Sequence, residues 1–316
     1  MNGQRGIAVV GGTGFIGGRL VSALQRQGRQ VGVFGRASES VRDGWQAAPG
    51  IGDVDTVFYL ACGVTPMTAQ SNPELLDDEL AMFQALLRAA GNSDTSTRVV
   101  LAASGGTVYP PTAAPPHRET DPVSPNNAYG ALKLRMEEAL FAQPGIEPVV
   151  VRLSNIYGPG QKPRNGLGVI AHWLDDLRRG QEPVLYGDPA ATRDYLYIDD
   201  TVDLFVRIDS AERPAPILNA GSGVPTSLAE LAGIVSEVTG DERVWEVRRQ
   251  GRAPDRMHCH LCTDLARETL GWTAETALRE GVRRTWLSLE PQTIPVFAAD
   301  VPDAPHVHES GERIRQ

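Results

Sequence analysis

The sequence has few cysteines, no long apolar run and no excess of positive charge. Its three cysteines, Cys62, Cys259 and Cys262, are too few for a disulfide framework. No apolar run is long enough to span a bilayer, and the first predicted strand begins almost at Met1, so we expect a cytoplasmic protein. The formal net charge of −9 argues against nucleic-acid and anionic-membrane partners, while leaving room for a local basic pocket that binds a phosphorylated small molecule.

A metal site is also not expected. Residues 258–262, His-Cys-His-Leu-Cys, contain suitable ligand types, and on a strand His258, His260 and Cys262 would project from one face. Side chains so close along a single strand rarely surround a tetrahedral ion, and the sequence shows no second cluster. We therefore predict a strand beside a substrate pocket and no metal.

What the sequence does contain is an apolar strand, residues 7–10, that runs through glycines into an amphipathic helix. Gly11 permits a tight turn, Gly14 a close approach to a pyrophosphate, and Gly17 close packing of the helix on the strand. The free N–H groups and positive dipole end of the helix favour a bound diphosphate. The pattern predicts a dinucleotide site with contacts from Gly11, Thr13, Gly14, Phe15, Ile16 and Gly17.

The second predicted strand, residues 30–36, ends without the carboxylate that an NAD site uses to bind the ribose hydroxyls. Gly35 and Arg36 stand there, and Ser38 follows. A guanidinium and hydroxyls suit a 2′-phosphate and favour NADP, with NAD as the alternative if Arg36 only faces solvent. The next clear strand begins at residue 56, so the usual third strand is either missing or reduced to residues 45–47.

Strands and helices alternate along most of the chain, which predicts an α/β fold. Strands are predicted at residues 56–61, 98–103, 148–153, 183–186 and 217–219; helices are predicted at 75–90, from Asn127, at 169–179, and at 228–238 with Thr226 or Ser227 as the cap. Residues 290–316 have no periodicity and form a predicted tail.

Tyr129 and Lys133 lie one helical turn apart and therefore share a face of a predicted helix. A tyrosine is a poor base at neutral pH, but a nearby ammonium and an oxidised nicotinamide both favour its phenolate. It could then take a proton from a hydroxyl as hydride leaves the carbon, or return one to a ketone. Because the pair follows a glycine loop and a strand that ends in Ser104 and Thr107, we interpret it as catalytic.

With these motifs in this order, the chain resembles the extended short-chain dehydrogenase/reductases that act on nucleotide sugars, the family of UDP-galactose 4-epimerase. The matching motifs are residues 11–17, 55–61, 104–109, the Tyr129/Lys133 pair, and residues 152–159, 187–200, 219–223 and 252–255. The resemblance implies a Rossmann-type, doubly wound parallel sheet that binds NAD(P), and a smaller C-terminal α/β domain for the nucleotide sugar. The implied ranges are 1–160, completed by about 196–220, for the first domain, and 161–195 with 221–289 for the second.

The resemblance also implies individual roles. Leu60, Ala61, Tyr129 and Lys133 would contact the cofactor; Asn155 and Arg193 would hold the diphosphate, Tyr186 would stack on the base, and Arg252 and Asp255 would hold phosphate and ribose. Arginines suit phosphates and a carboxylate suits a ribose hydroxyl. For Arg193 the alternative is a surface salt bridge to Asp194 or Asp199. Relatives commonly form dimers through the helix of the Tyr/Lys pair and its neighbour, which implies a homodimer.

Three positions depart from the family pattern. Gly105 stands where the catalytic serine or threonine is usual, so Ser104 or Thr107 must substitute, and we expect both within reach. Glu79 stands where relatives often have asparagine, and Tyr59 where they often have histidine. Neither of these two changes removes a member of the Tyr129/Lys133 pair.

The residues of the turn before Tyr109 reduce the number of candidate reactions. The resemblance implies that 4,6-dehydratases carry an aspartate and a glutamate where this chain has Gly106 and Thr107. Decarboxylases and 3,5-epimerase-reductases tend to carry glutamate or cysteine at the position of Thr107. What the resemblance leaves is hydride chemistry at C4 of a UDP- or dTDP-hexose, by an NADPH-dependent 4-ketoreductase. The alternatives are an NAD-dependent 4-epimerase and a non-catalytic nucleotide sensor, which we would expect to have lost Tyr129 or Lys133.

Overall fold

The computed structural model describes residues 6–35, 51, 53–92, 96–164, 167–243, 245–248 and 256–289. Within these residues six parallel strands form the central sheet: β1 (Ile7–Val10), β2 (Val31–Phe34), β3 (Thr56–Tyr59), β4 (Thr97–Ser104), β5 (Ile146–Leu153) and β9 (Ile217–Ala220). They lie in the order β2-β1-β3-β4-β5-β9. Strands β1 and β3 are buried along their whole length, as expected for a sheet covered on both faces.

Helices cover both faces of this sheet. Successive residues of a strand point to opposite faces, so Ile7 packs in one core cluster with Leu20 and Ala8 in the other with Phe83. On the first face lie α1 (Phe15–Arg26) and α6 (Ile198–Ser210); on the second lie α3 (Glu74–Gly91) and α4 (Ala128–Ala142). The predicted α/β fold with a doubly wound parallel sheet is confirmed.

The remaining strands form two small sheets. One contains β6 (Asn155–Tyr157), β8 (Thr192–Tyr197) and β10 (Pro225–Ser227); the other pairs β7 (Val184–Tyr186) with β11 (Glu246–Arg248). Strand β6 falls inside the range 1–160 predicted for the first domain, yet it pairs with β8 in a small sheet. That partner lies about forty residues further along the chain, so the local pattern of β6 could not reveal it.

Five further helices complete the described residues: α2 (Pro66–Ser71), α5 (Val169–Arg178), α7 (Leu228–Thr239), α8 (Asp264–Leu270) and α9 (Leu278–Leu287). Ser227, rather than Thr226, caps α7, since its side chain accepts a hydrogen bond from the backbone N–H of Glu230. No helix of the described residues has the length and apolar character needed to cross a membrane. Residues 36–50, which include the predicted remnant of a third strand, and residues 290–316 lie outside the described part.

Candidate active site

The glycine turn between β1 and α1 has the shape of a dinucleotide cradle. Gly11 has a φ of +85°, and a Cβ added there would lie 2.8 Å from the backbone nitrogen of Ala61. A Cβ on Gly17 would overlap the carbonyl oxygen of Gly11, so α1 packs directly on the turn. Helix α1 has no acidic residue in its first turn, and its N-cap, Gly14, offers no side-chain partner to the free N–H groups. These features fit the pyrophosphate of NAD(P).

Several other residues predicted to contact the cofactor lie near this glycine turn. Leu60 donates its N–H to the carbonyl oxygen of Val10, which holds the segment after β3 beside the turn. Thr13 is exposed in the turn and lies close to the end of β2, since a Cβ on Gly35 would lie 3.6 Å from the Oγ1 of Thr13. Phe15 and Ile16 pack partly against the core. Arg36 and Ser38, which carry the choice between NADP and NAD, lie outside the described residues.

Tyr129 and Lys133 stand in the first turns of α4. Asn127 caps this helix by accepting a hydrogen bond from Gly130 N–H at 2.8 Å. Lys133 is 3% exposed, and its Nζ donates to the carbonyl oxygen of Ala102 on β4 at 3.1 Å. The same Nζ lies 5.8 Å from the centroid of the Tyr129 ring. The helix thus brings both side chains to the carboxyl end of the central sheet, where such folds bind ligands.

Burial and neighbouring charges have opposite effects on the pKa values of Tyr129 and Lys133. Burial raises the pKa of Tyr129 to about 12; Lys133 acts in the opposite direction, while Cys62 and Glu79 add to the rise. Burial alone would lower the pKa of Lys133, but Cys62, Tyr129 and Glu79 together raise it. Lys133 therefore keeps its ammonium, and Tyr129 keeps its proton until a cationic ligand or a change in the surrounding charge favours the phenolate.

The turn after β4 supplies the hydroxyl groups. Ser104 is half-buried at the strand end, and the Oγ1 of Thr107 is buried with no hydrogen-bond partner within the described residues. A Cβ on Gly105 would lie 2.6 Å from the Leu261 side chain, so Leu261 occupies the space that a hydroxyl-bearing residue at position 105 would need. A buried hydroxyl without a partner costs free energy, which makes Thr107 the better placed of the two to bind a substrate oxygen.

A buried ion pair anchors the turn to α4. Arg152 and Glu137, both 3% exposed, lie 2.7 Å apart at Nη2 and Oε2, and Glu137 is one helical turn after Lys133. Arg152 Nη1 also donates to the Tyr109 hydroxyl at 3.1 Å, and that hydroxyl donates to Asn219 Oδ1 at 2.9 Å. The pair couples the Ser104–Tyr109 turn, α4 and β9 into one rigid unit.

The predicted substrate contacts that the structure describes, Asn155, Tyr186 and Arg193, lie on the small sheets. Asn155 is exposed on β6 and donates Nδ2 to the carbonyl oxygen of Asp194 at 3.0 Å. Tyr186, at the end of β7, is 62% exposed and lies beside Arg248. This side-by-side placement of an exposed ring and a guanidinium was missed in the sequence, because it depends on the pairing of β7 with β11.

Arg193 contacts backbone rather than the two carboxylates suggested as alternatives. Its guanidinium donates to the carbonyl oxygens of Thr192 at 2.8 Å, Arg256 at 3.1 Å and Met257 at 3.4 Å. Asp194 accepts hydrogen bonds from Ser222 and from Leu261 N–H, and Asp199 pairs with Arg19. Arg193 is therefore held against the backbone of Arg256 and Met257; Arg252 and Asp255 lie outside the described residues.

The prediction of a strand at residues 258–262 is wrong. The segment forms two isolated bridges, His258 with Thr192 and Leu261 with His117, because its backbone changes partner after one residue pair on each side. The burial of its residues also differs, since His258 is exposed and Cys262 is buried. No group of three metal-ligating side chains occurs in the described part of the chain.

Two further groups beside the Tyr129/Lys133 pair had no role predicted from the sequence. Cys62 follows β3, and its thiol interacts with both members of the pair. Glu79 lies on the buried face of α3, where it is 8% exposed. A signal for Glu79 was present, since an acid at the helical spacing of the apolar Leu76 and Phe83 indicates a buried carboxylate.

Comparison with known proteins agrees with this geometry. Residues 7–221 match the NAD dependent epimerase/dehydratase family. The chain is 30% identical to the UDP-glucose 4-epimerase of Mycolicibacterium smegmatis over 303 residues, which cover 88% of this chain and 96% of that protein. It is 32% identical to the dTDP-6-deoxy-L-talose 4-dehydrogenase (NAD(P)(+)) of Kitasatospora kifunensis over 321 residues, 92% of this chain and 96% of the relative.

A solved structure gives the same result. The UDP-glucose 4-epimerase of Thermotoga maritima, determined with UDP-glucose, superposes with a TM-score of 0.81 at 25% identity, covering 90% of this chain and 98% of that one. The chain therefore belongs to the NAD dependent epimerase/dehydratase family and is an NAD(P)-dependent nucleotide-sugar enzyme of the extended short-chain dehydrogenase/reductase type.

Proposed function

We propose that this enzyme is an NADP(H)-dependent 4-ketoreductase that transfers hydride at C4 of a UDP- or dTDP-hexose. The observation that carries the proposal is that α4 brings Tyr129 and Lys133 to the carboxyl end of β4, where a Cβ on Gly130 would lie 2.6 Å from the carbonyl oxygen of Thr107. The buried Oγ1 of Thr107 has no hydrogen-bond partner among the described residues. A carbinol-to-ketone interconversion needs a proton donor, an ammonium and a hydroxyl, and these neighbouring segments supply all three.

Each of these side chains has a distinct role in the proposal. Tyr129 gives a proton to the ketone oxygen on reduction, or takes it from the carbinol on oxidation. Thr107 Oγ1, with Ser104 as the neighbouring alternative, donates a hydrogen bond to that same oxygen and orients it. Lys133, tied to the Ala102 carbonyl, favours the phenolate electrostatically. The bound nicotinamide supplies or accepts the hydride.

The residues of the turn favour simple hydride transfer over dehydration. Residues 104–109 contain no carboxyl or thiol group, and a second proton transfer at a neighbouring sugar carbon would need one. The Kitasatospora relative is named a 4-dehydrogenase of a dTDP-sugar, and this name supports hydride transfer at position 4 here.

The preference for NADP rests on the end of β2. Strand β2 ends at Phe34, and Gly35 follows where a carboxylate would bind the ribose hydroxyls. Arg36 and Ser38 come next in the sequence and suit a 2′-phosphate.

The nucleotide diphosphate of the substrate would be bound by Asn155, the ring of Tyr186, Arg193, Arg252 and Asp255.

The test combines cofactor binding with turnover. The purified chain is mixed with NADPH or NADH and a dTDP-4-keto-6-deoxyhexose, and loss of the reduced nicotinamide is followed by absorbance. We expect faster turnover with NADPH, and a Tyr129→Phe rate lower by roughly a hundred- to ten-thousandfold. The melting temperature with cofactor serves as the folding control. A Tyr129→Phe enzyme near wild-type rate would refute the assigned role.

An NAD-dependent 4-epimerase is the second candidate, favoured by the likeness to the Mycolicibacterium UDP-glucose 4-epimerase. It would retain tightly bound NAD through purification and interconvert UDP-glucose and UDP-galactose without added cofactor. A non-catalytic sensor would do neither, but both Tyr129 and Lys133 are present, which weighs against it. A homodimer and a cytoplasmic location stay predictions.

A further inference from the structure

A buried carboxylate lies on the helix that packs against the helix of the Tyr129/Lys133 pair. Glu79 is on α3, which packs against α4, and only 8% of the residue is exposed. Its two oxygens accept hydrogen bonds from the backbone N–H of Gly63 at 3.1 and 3.0 Å. Gly63 belongs to the segment that leaves β3 beside the glycine turn, so Glu79 ties this segment to α3.

Titratable side chains within electrostatic range of Glu79 come from each neighbouring element. Tyr59 comes from β3, Cys62 from the segment that follows it, and Tyr129 and Lys133 from α4. The Tyr59 hydroxyl is buried and has no hydrogen-bond partner within the described residues. Arg135 of α4 is occupied elsewhere, since it pairs with Asp77 on the exposed side of the helices at 3.1 Å. Among the described residues of α4, Lys133 is therefore a cation within electrostatic range of Glu79.

We propose that Glu79 is a positioning residue whose buried carboxylate holds the Cys62–Gly63 segment on α3 and offsets the Lys133 charge, so that Tyr129 is ready to act as the acid of ketone reduction. The proposal rests on the hydride-transfer function proposed above and adds a preferred protonation state to it.

The physical reason is a balance of two charges. An ammonium beside a phenol favours the phenolate, which is the form needed to oxidise a carbinol. A carboxylate near both groups does the opposite: it raises the pKa of Tyr129 and stabilises the Lys133 ammonium. An uncharged amide at position 79 would remove this opposition and leave Lys133 to act alone. The glutamate therefore suits a reductase better than an enzyme that must also work as a carbinol oxidase.

The test is the variant Glu79→Gln, which keeps an acceptor oxygen for Gly63 N–H while removing the charge. Reduction is measured against pH with the enzyme saturated in NADPH and a dTDP-4-keto-6-deoxyhexose. Its rate falls at high pH as Tyr129 loses its proton, and we expect the midpoint of that fall to move down by about one pH unit in Glu79→Gln. The control is Asp78→Asn, which removes an exposed carboxylate from the same helix and should leave the midpoint unchanged.

A second readout does not depend on turnover. The ultraviolet absorbance of tyrosinate is titrated in the complex with oxidised cofactor, and the Tyr129→Phe protein is subtracted to isolate Tyr129. Glu79→Gln should lower this midpoint as well. A lower activity with both midpoints unchanged would show a purely structural role and overturn the proposal. If the titration shifts but no keto sugar is reduced, the charge balance holds and the proposed function fails.

Discussion

The Nζ of Lys133 lies 5.8 Å from the centroid of the Tyr129 ring while donating a hydrogen bond to Ala102 at 3.1 Å. The ammonium is therefore fixed by the sheet and not by the tyrosine, so it acts on the phenol through its charge. A charge held in this way changes the proton affinity of Tyr129 without needing to move during the reaction.

Replacing Lys133 with methionine should make Tyr129 harder to ionise. Lys133 lowers the pKa of Tyr129, which burial raises to about 12, so its loss moves the pKa further upward. At saturating oxidised cofactor, the pH at which the rate of carbinol oxidation rises should be higher in this variant than in the wild type. Near neutrality the rate of the variant should be lower by at least about tenfold. A pH profile of oxidation checks this. An unchanged profile would mean that the ammonium does not control the tyrosine.

Helix α1 should tolerate a methyl group at one glycine and not at its neighbour. A Cβ on Gly17 would overlap the Gly11 carbonyl oxygen, whereas a Cβ on Gly18 would lie 3.6 Å from the Gly12 carbonyl oxygen, an ordinary contact. We expect Gly17→Ala to lose cofactor binding or to unfold at a lower temperature, and Gly18→Ala to behave like the wild type or be slightly more stable. Thermal melting with and without NADP measures both effects. Equal behaviour of the two variants would contradict the close packing.

Alkylation should select Cys62. It is half-buried, while Cys259 and Cys262 are buried. Because the Cys62 thiol lies beside Tyr129 and Lys133, iodoacetamide should inactivate the enzyme, and bound cofactor should protect it. Mass spectrometry of the labelled peptide identifies the site. Cys62→Ser should keep activity and resist the reagent; inactivation of that variant at the wild-type rate would place the sensitive group elsewhere.

Stability should decrease in mild acid because of His117. It is fully buried and stacks on Tyr109, with ring centroids 4.7 Å apart, and burial together with Arg256 lowers its pKa from 6.5 to about 4. Between these two values the unfolded chain binds a proton that the folded chain does not, so stability is lost as pH falls through this window, by at most about 3 kcal/mol.

Urea unfolding at a series of pH values between neutrality and about pH 4 measures this loss. In His117→Phe, which keeps a stacked ring on Tyr109 but cannot be protonated, the dependence on pH should be shallower than in the wild type. If the two proteins show the same slope, His117 is not the group responsible.

A dimer should depend on the outer surface of α3 and α4. Leu75 on α3 is 40% exposed and Phe141 on α4 is 43% exposed. Phe141→Glu should therefore produce a monomer in light scattering if these helices form the interface. Leu287, 47% exposed on α9, provides the control, since Leu287→Glu should leave the mass unchanged. A dimer that survives Phe141→Glu would place the interface on another surface.

Local patterns predicted the elements well, because they depend on neighbouring residues. The helix expected at residues 75–90 is observed as Glu74–Gly91, and the one expected at 228–238 as Leu228–Thr239. The spacing of Tyr129 and Lys133 likewise fixes a shared helix face before any packing is known. Residues 258–262 failed as a strand for the opposite reason, since their backbone bonds to two distant segments that no local pattern records.

Sequence patterns alone predict the scaffold of this family: a glycine turn after a buried strand, a sheet built from alternating elements, and a Tyr/Lys pair on one helix. Which groups lie near that pair depends on how the chain folds. Glu79 is more than fifty residues from Lys133 in the chain. Leu261, which fills the space beside Gly105, is also far from that glycine in the sequence. Burial and charge act through space, so the proton affinity of Tyr129 depends on contacts that only folding creates.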